Sequence, residues 1–200
     1  GVLGKKITKN LPYRFKPFKY DLRNKKMVYR WINENDFDII LHLAAIVPTN
    51  KVNKNYHKAY QINVEGTKNV VDAIIKKKYK PKWFFFSSTS HVYRLPKKKI
   101  KINEKCKKKA ISKYGLTKLK AERYIKKKLS KSKIPYCIGR IFSFTHINQE
   151  DFYLIPSIVK KIRKSKTKKI VFNNMNHYRD FVSVTDICEA IKLLWTKKSK

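Results

Sequence analysis

Two short stretches carry the side chains with the most specific chemistry. The run Phe84-Phe85-Phe86-Ser87-Ser88-Thr89-Ser90-His91-Val92-Tyr93 has strand character and ends in hydroxyls. About two dozen residues later, Tyr114 and Lys118 stand four apart in a segment of helical pattern, hence on one face. A Tyr is ordinarily protonated, with a pKa of about 10. A neighbouring ammonium stabilises the phenolate, so the Tyr can exchange a proton with an alcohol or a carbonyl. A Ser or Thr hydroxyl nearby can hold the same oxygen. Carbonyl reduction or alcohol oxidation by hydride transfer needs these three groups together.

Tyr114-Gly115-Leu116-Thr117-Lys118 resembles the Tyr-x-x-x-Lys pair of the short-chain dehydrogenase/reductase superfamily. Ser87 to Tyr93 resembles the hydroxyl strand of its extended branch, the nucleotide-sugar epimerases, dehydratases and reductases. The resemblance implies that Tyr114 is the acid/base, and that Lys118 lowers its pKa and holds the cofactor ribose. Aligning Val92-Tyr93 with the family's Val-Tyr-Gly implies that Thr89 positions the reacting oxygen, with Arg94 in place of the usual Gly. Dehydratases of the group carry Asp-Glu directly after that hydroxyl; Ser90-His91 stand here, which disfavours dehydration. In members resembling fucose synthases, the position two after the hydroxyl holds an acid/base group for epimerisation, a role open to His91. A solvent-facing loop His is the alternative.

The elements that must position these groups are legible in outline. Gly1 and Gly4 precede a helix and resemble the last two glycines of Gly-x-x-Gly-x-x-Gly, the family's dinucleotide fingerprint, in which a helix N-terminus favours the pyrophosphate. That resemblance implies a fragment, beginning inside its cofactor loop without the first strand. Short strands are expected at 13–15 and 18–20, in a region broken by Pro12 and Pro17. Asp21-Leu22 resembles the Asp-Leu pair whose Asp contacts the adenine side of the cofactor. Arg14 and Lys16 are the nearest basic side chains, which favours NADP slightly over NAD.

A helix over about 25–33 leads to the continuous apolar run 37–45, the pattern of a buried parallel strand. His42-Leu43-Ala44-Ala45 resembles the family's segment after the fourth strand, which implies that Leu43, Ala44 and Ala45 lie against the cofactor. His42 is expected to be structural. Asn63-Val64-Glu65-Gly66-Thr67 resembles the Asn-Val-x-Gly-Thr signature, in which the Asn braces the active-site strand. Further on, 134–142 reads as a strand with Ser143 where the family commonly has a substrate-contacting Asn, and a helix is expected over about 155–162. Arg179-Asp180-Phe181 opens a close match to Arg-Asp-Phe-Ile-x-Val-x-Asp-x-x-x-Ala, which implies that Arg179 meets the diphosphate of a nucleotide-sugar; an ion pair with a core-edge carboxylate is the alternative.

These readings converge on an α/β fold: a doubly wound, Rossmann-like parallel sheet over residues 1–145, with part of a smaller substrate-binding lobe over 146–200. The function implied is an NAD- or NADP-dependent epimerase or reductase of a nucleotide-sugar. A cofactor-binding relative without turnover is the first alternative, and a basic nucleic-acid-binding protein the second. The resemblance also implies a homodimer.

Composition weighs against other classes. The chain has 50 Lys and Arg against 13 Asp and Glu, for a formal charge of +37. Eight of the basic residues are Arg and 42 are Lys, scattered through every helix rather than gathered in a stripe, which argues against specific nucleic-acid recognition. Cys106, Cys137 and Cys188 show neither a disulfide framework nor metal-ligand spacing, so no metal site is indicated and a reducing, cytoplasmic setting is expected. The longest apolar stretch is too short and too interrupted to span a bilayer, so no membrane partner is expected.

Overall fold

Strand β2 (Trp83–Thr89) is the middle of a three-stranded parallel sheet. The computed structural model describes residues 1–47, 49–94, 100–167, 169–173 and 179–197. Strand β1 (Ile39–His42) pairs with β2 from Ile39 opposite Trp83 to His42 opposite Phe86. On the other side β3 (Tyr136–Ile141) pairs from Tyr136 opposite Phe84 to Ile141 opposite Thr89. A central parallel strand is covered on both faces, which is why Trp83, Phe84, Phe85 and Phe86 form an unbroken apolar run, each no more than 1% exposed.

Alternation along the strand sends these rings to opposite faces. Phe84 and Phe86 join a core with Val28 and Ile32 of α2 (Lys25–Asn33), Val70, Val71 and Ile74 of α5 (Gly66–Lys76), and Ala121, Ile125 and Leu129 of α6 (Lys113–Leu129). Trp83 and Phe85 stand together on the opposite face, with ring centroids 5.7 Å apart, and Trp195 lies 6.0 Å from Trp83. Burying rings of this size contributes about 1.5–3 kcal/mol each. Gly139 of β3 is required by its neighbour, because a Cβ there would stand 2.5 Å from the Phe85 ring.

Helix starts follow the capping residues. Asn24 caps α2 by accepting from Met27 N, and Ser112 caps α6 by accepting from Gly115 N. Asn55 does the same at the start of a longer helical run: α3 (Thr49–Lys54) precedes it, and α4 (Tyr56–Tyr60) passes through one π turn, Gln61–Glu65, directly into α5. Close packing forces a glycine at the α5 start, since a Cβ on Gly66 would stand 2.7 Å from Leu22 Cβ.

Two compact units divide the chain. One comprises Arg14–Ile141 with the residues from Leu193 onward, and holds the three-stranded sheet. The other comprises Gly1–Tyr13 with Phe142–Lys192. It contains α1 (Val2–Asn10), the parallel pair β4 (Ser143–Thr145) and β5 (Phe181–Ser183), α7 (Leu154–Lys164), and most of α8 (Val184–Thr196).

One expectation is corrected. Residues 13–15 and 18–20 join no strand. Pro12 and Pro17 remove two backbone donors from this short stretch. Phe18 instead packs edge-on against Trp31 at 5.2 Å and against Tyr20 at 5.6 Å, so the stretch covers α2 rather than extending the sheet. Among the described residues no helix is long and apolar enough to cross a membrane.

Candidate active site

Helix α6 is seated on the C-terminal end of β2, and this contact brings the sequence-predicted groups together. Strand β2 ends at Thr89, whose extended backbone leads into a single 3-10 turn, Ser90–Val92. The Thr89 hydroxyl oxygen accepts from His91 N at 3.3 Å, and its own proton has no partner among the described residues. Lys118 reaches the same segment, its Nζ donating to Ser87 O at 2.7 Å while lying 4.5 Å from the centre of the Phe86 ring. Tyr114, one turn earlier and half-buried, stands edge-on to His91 with ring centroids 5.9 Å apart.

Two contacts lock this arrangement. The α6 cap Ser112 also shares a hydrogen bond with His91 Nδ1 at 3.1 Å, and Ile111 N donates to His91 O at 3.1 Å. Gly115 then lets the helix approach the turn, for a Cβ there would stand 2.3 Å from His91 O. The sequence Tyr114-Gly115 therefore places a phenol beside a close backbone approach that a Cβ would block.

Lys118 is 2% exposed. Burial pushes its pKa down to about 7, opposed by the negative charge of Glu122. His42 is 5% exposed, and burial together with the Lys118 charge pushes it down to about 3. His42 is therefore neutral, as expected of a structural residue. Its Nε2 lies 2.8 Å from Thr67 Oγ1, and that hydroxyl donates its one proton to Asn63 O at 2.7 Å. Nε2 must then carry the hydrogen and donate it.

Asn63 braces different partners from those expected. Instead of the β2 strand, its side chain clamps the loop after β1 and the α6 helix. Its Oδ1 accepts from Ile46 N at 2.7 Å, and its Nδ2 donates to Ile46 O and to Thr117 Oγ1, each at 3.1 Å. Thr117 passes its own proton to Tyr114 O at 2.7 Å, so Asn63 is linked to the backbone of the catalytic candidate. The π turn that contains Asn63 supplies the local widening that turns this side chain inward.

Sequence reasoning missed a buried ionic network behind the site. Glu122, 2% exposed, accepts from Ser88 Oγ at 2.6 Å and is held by Arg140 through Nε at 2.9 Å and Nη2 at 2.8 Å. Arg140 Nη1 donates to Tyr93 Oη at 3.0 Å. Burial works against the Arg140 charge, but the bonds to Glu122 and Tyr93 outweigh it and hold the pKa above its ordinary value. A signal was available: Glu122 is the one acid in α6, and it stands four residues after Lys118 on the face that carries Tyr114.

The other candidates are distributed as follows. Asp21 is exposed, and Arg23 grips its carboxylate with Nη2 at 2.6 Å, which holds its pKa below the usual range. Leu22 turns its side chain into the core and accepts at its carbonyl from Asn69 Nδ2 at 2.9 Å. Leu43, Ala44 and Ala45 follow directly on the C-terminal end of β1, with Ala44 exposed. Gly1, Gly4, Ser143 and Arg179 belong to the second compact unit. There Gly1 caps α1 and Gly4 lies within it, Ser143 opens β4 opposite Phe181, and Arg179 is exposed just before β5. Among the described residues no three His, Cys, Asp or Glu side chains gather as a metal cluster.

Comparison with known proteins identifies this arrangement. The family model described as GDP-mannose 4,6 dehydratase matches residues 3–200. GDP-6-deoxy-D-talose 4-dehydrogenase of Aggregatibacter actinomycetemcomitans is 29% identical over 177 residues, covering 88% of this chain and 58% of that protein. The 3beta-hydroxysteroid-dehydrogenase/decarboxylase isoform 1 of Arabidopsis thaliana is 30% identical over 192 residues, covering 95% of this chain and 41% of its own length. This chain thus spans about half the length of these curated relatives. The solved structure of RMD from Pseudomonas aeruginosa, complexed with NADPH, superposes with a TM-score of 0.86 at 22% identity, covering 98% of this chain and 70% of that one, and so shares the fold. A match running from residue 3 to residue 200, over a parallel sheet with its Tyr and Lys seated at the strand ends, makes the chain a member of the GDP-mannose 4,6-dehydratase family, within the NAD-dependent epimerase/dehydratases of the extended short-chain dehydrogenase/reductase branch.

Proposed function

We propose that the chain carries the hydride-transfer site of an NAD(P)-dependent enzyme that epimerises or reduces a nucleotide-sugar. The observation that carries this reading is the seating of α6 on the end of β2, with Tyr114 against His91 and Lys118 on Ser87 O. That segment lies at the carboxyl end of a parallel strand, where open α/β sheets bind their ligands. A nicotinamide cofactor held there would supply the hydride chemistry. Tyr114 takes the alcohol proton during oxidation and returns it during reduction, while the Lys118 ammonium favours the phenolate. Thr89 donates its unpartnered proton to the same oxygen. His91 is available to exchange a proton at the carbon next to the ketone during epimerisation. With Ser90 and His91 after Thr89, in place of two carboxylates, the reading is against loss of water.

The residues present fit a dinucleotide. Asp21 is exposed and is assigned to the adenosine half, and the small side chains of Ala44 and Ala45 permit close approach. Gly1 caps α1, whose N-terminus would favour a pyrophosphate. Arg14 and Lys16 are the basic groups assigned to an extra phosphate, which keeps both NAD and NADP as cofactors. Arg179 and Ser143 are assigned to the sugar diphosphate and the sugar. We assign residues 1–145 to the cofactor domain and 146–200 to the substrate lobe, in a homodimeric protein of the cytoplasm.

A second substrate class is favoured by one observation. The Arabidopsis relative is named for a 3β-hydroxysteroid and matches nearly the whole chain, and the same Tyr–Lys chemistry serves a ring alcohol. The deciding experiment incubates the protein with NAD or NADP in both redox states and a panel of UDP-, GDP- and dTDP-sugars and 3β-hydroxysteroids. Nicotinamide absorbance and product NMR are followed. Net cofactor oxidation identifies a reductase, and an isomeric sugar without net consumption identifies an epimerase. Absence of cofactor binding would sink the enzyme reading.

A further inference from the structure

The proposed chemistry leaves the buried network behind the site unused. Tyr114, Lys118 and Glu122 are spaced by four along α6, so they line one face, with neighbouring Cβ atoms about 5–6 Å apart. The last two are each 2% exposed. An isolated ammonium in such surroundings is costly and tends to shed its proton.

We propose that Glu122 is a positioning residue of the Tyr114–Lys118 site: gripped by Arg140, its carboxylate is the counter-charge that keeps Lys118 an ammonium and the acceptor that fixes Ser88, and through it Thr89. The geometry divides these tasks between two elements. On the strand side, Ser88 donates to Glu122 Oε1 at 2.6 Å while the preceding residue, Ser87, accepts from Lys118 at 2.7 Å. Two successive residues of β2 are thus tied to two successive turns of α6, and Thr89 is the next residue. On the charge side, the groups facing Lys118 are few. From α6 come Tyr114 and Glu122, and from β1 comes His42, which is neutral. The neighbouring part of β2 presents the Phe86 ring and the Ser87 carbonyl, neither of them titratable. From β3, Arg140 contacts Glu122 through two bonds of 2.8 and 2.9 Å, which orient the carboxylate. Among the described residues, the negative charge acting on Lys118 is that of Glu122.

The catalytic consequence rests on the hydride-transfer reading, whereas the charge assignment does not, and the test reads the charge directly. The protein is labelled with 13C at lysine Cε and titrated by NMR, and the Lys118 signal is assigned by its loss in Lys118→Met. In the parent, Lys118 titrates near neutral pH, apart from the solvated lysines. In Glu122→Gln its midpoint falls by about one pH unit or more, a tenfold loss of proton affinity, and Glu122→Asp restores most of it. An unchanged midpoint in folded Glu122→Gln overturns the proposal. Should that variant fail to fold, the Glu122→Gln/Arg140→Met pair leaves neither buried partner uncompensated. Its Lys118 midpoint is expected below the parent's, and an equal or higher one overturns the proposal. If Tyr114→Phe proves catalytically silent, the hydride-transfer reading falls while this titration still decides the role of Glu122.

Discussion

Lys118 Nζ donates to Ser87 O at 2.7 Å, two residues before the hydroxyl of Thr89. The bond ties a buried ammonium to the end of the central strand and leaves two of its protons for other partners. It also means that the charge proposed to favour the Tyr114 phenolate lies in the core, where its protonation responds to pH.

The consequence for stability has a definite sign. The folded pKa of Lys118 is about 7, below the unfolded value of about 10.4. Below pH 7 both states hold the proton, and the cost of burying the charge is fully present. Between about pH 7 and 10 the unfolded state binds more protons, so the native state gains stability as pH rises. The urea midpoint of the parent minus that of Lys118→Met should therefore increase from pH 7 to pH 9. A flat difference would contradict the buried ammonium.

His42 acts in the acidic range. Its folded pKa is about 3 against an unfolded value of about 6.5, so the unfolded state takes up a proton that the native state refuses. The stability this neutral residue provides at pH 7 is lost as pH falls from 6.5 towards 3, by of order 5 kcal/mol at the acid limit. His42→Gln keeps a donor for Thr67 and removes the titration. Its denaturation midpoint should fall less steeply over that window than the parent's.

Gly115→Ala drives a methyl group to within 2.3 Å of the His91 carbonyl oxygen, a backbone atom that cannot rotate away. Overpacking of this kind costs about 1–3 kcal/mol. Relief requires α6 to move off the 3-10 turn, which would also separate Tyr114 from His91. Thermal denaturation should show the loss of stability, and the ring contact should loosen in aromatic NMR.

Breaking one side of the Glu122–Arg140 pair should be more harmful than removing both. Arg140→Met leaves Glu122 buried without its cation, for a loss of about 3–5 kcal/mol. The Glu122→Gln/Arg140→Met pair should lose less than the sum of the single changes in a urea double-mutant cycle. Strict additivity would mean that the two side chains act independently.

Much of this site was legible in the sequence because its signals are local. Tyr114 and Lys118 are four apart, and the apolar run of β2 reads as a covered strand. The hydroxyls at its end announce themselves by type. Glu122 and Arg140 were less visible, since their pairing joins a helix to a strand across a loop and no periodicity reports it. The partners of Asn63 were hidden for a similar reason: a π turn breaks the 3.6-residue register, and Thr117 lies 54 residues away. The stretch 13–20 misled because aromatic alternation resembles a strand, whereas Pro12 and Pro17 and the packing of Phe18 on Trp31 make it a cover for α2.

The most direct test of the account compares the parent with Tyr114→Phe. Both are given the nicotinamide cofactor and the substrate found by the panel, and cofactor affinity and turnover are measured separately. The account predicts that turnover falls by about 10²–10⁴-fold, the usual worth of a positioned acid/base, while cofactor affinity is preserved. Turnover in Tyr114→Phe equal to the parent's would contradict it.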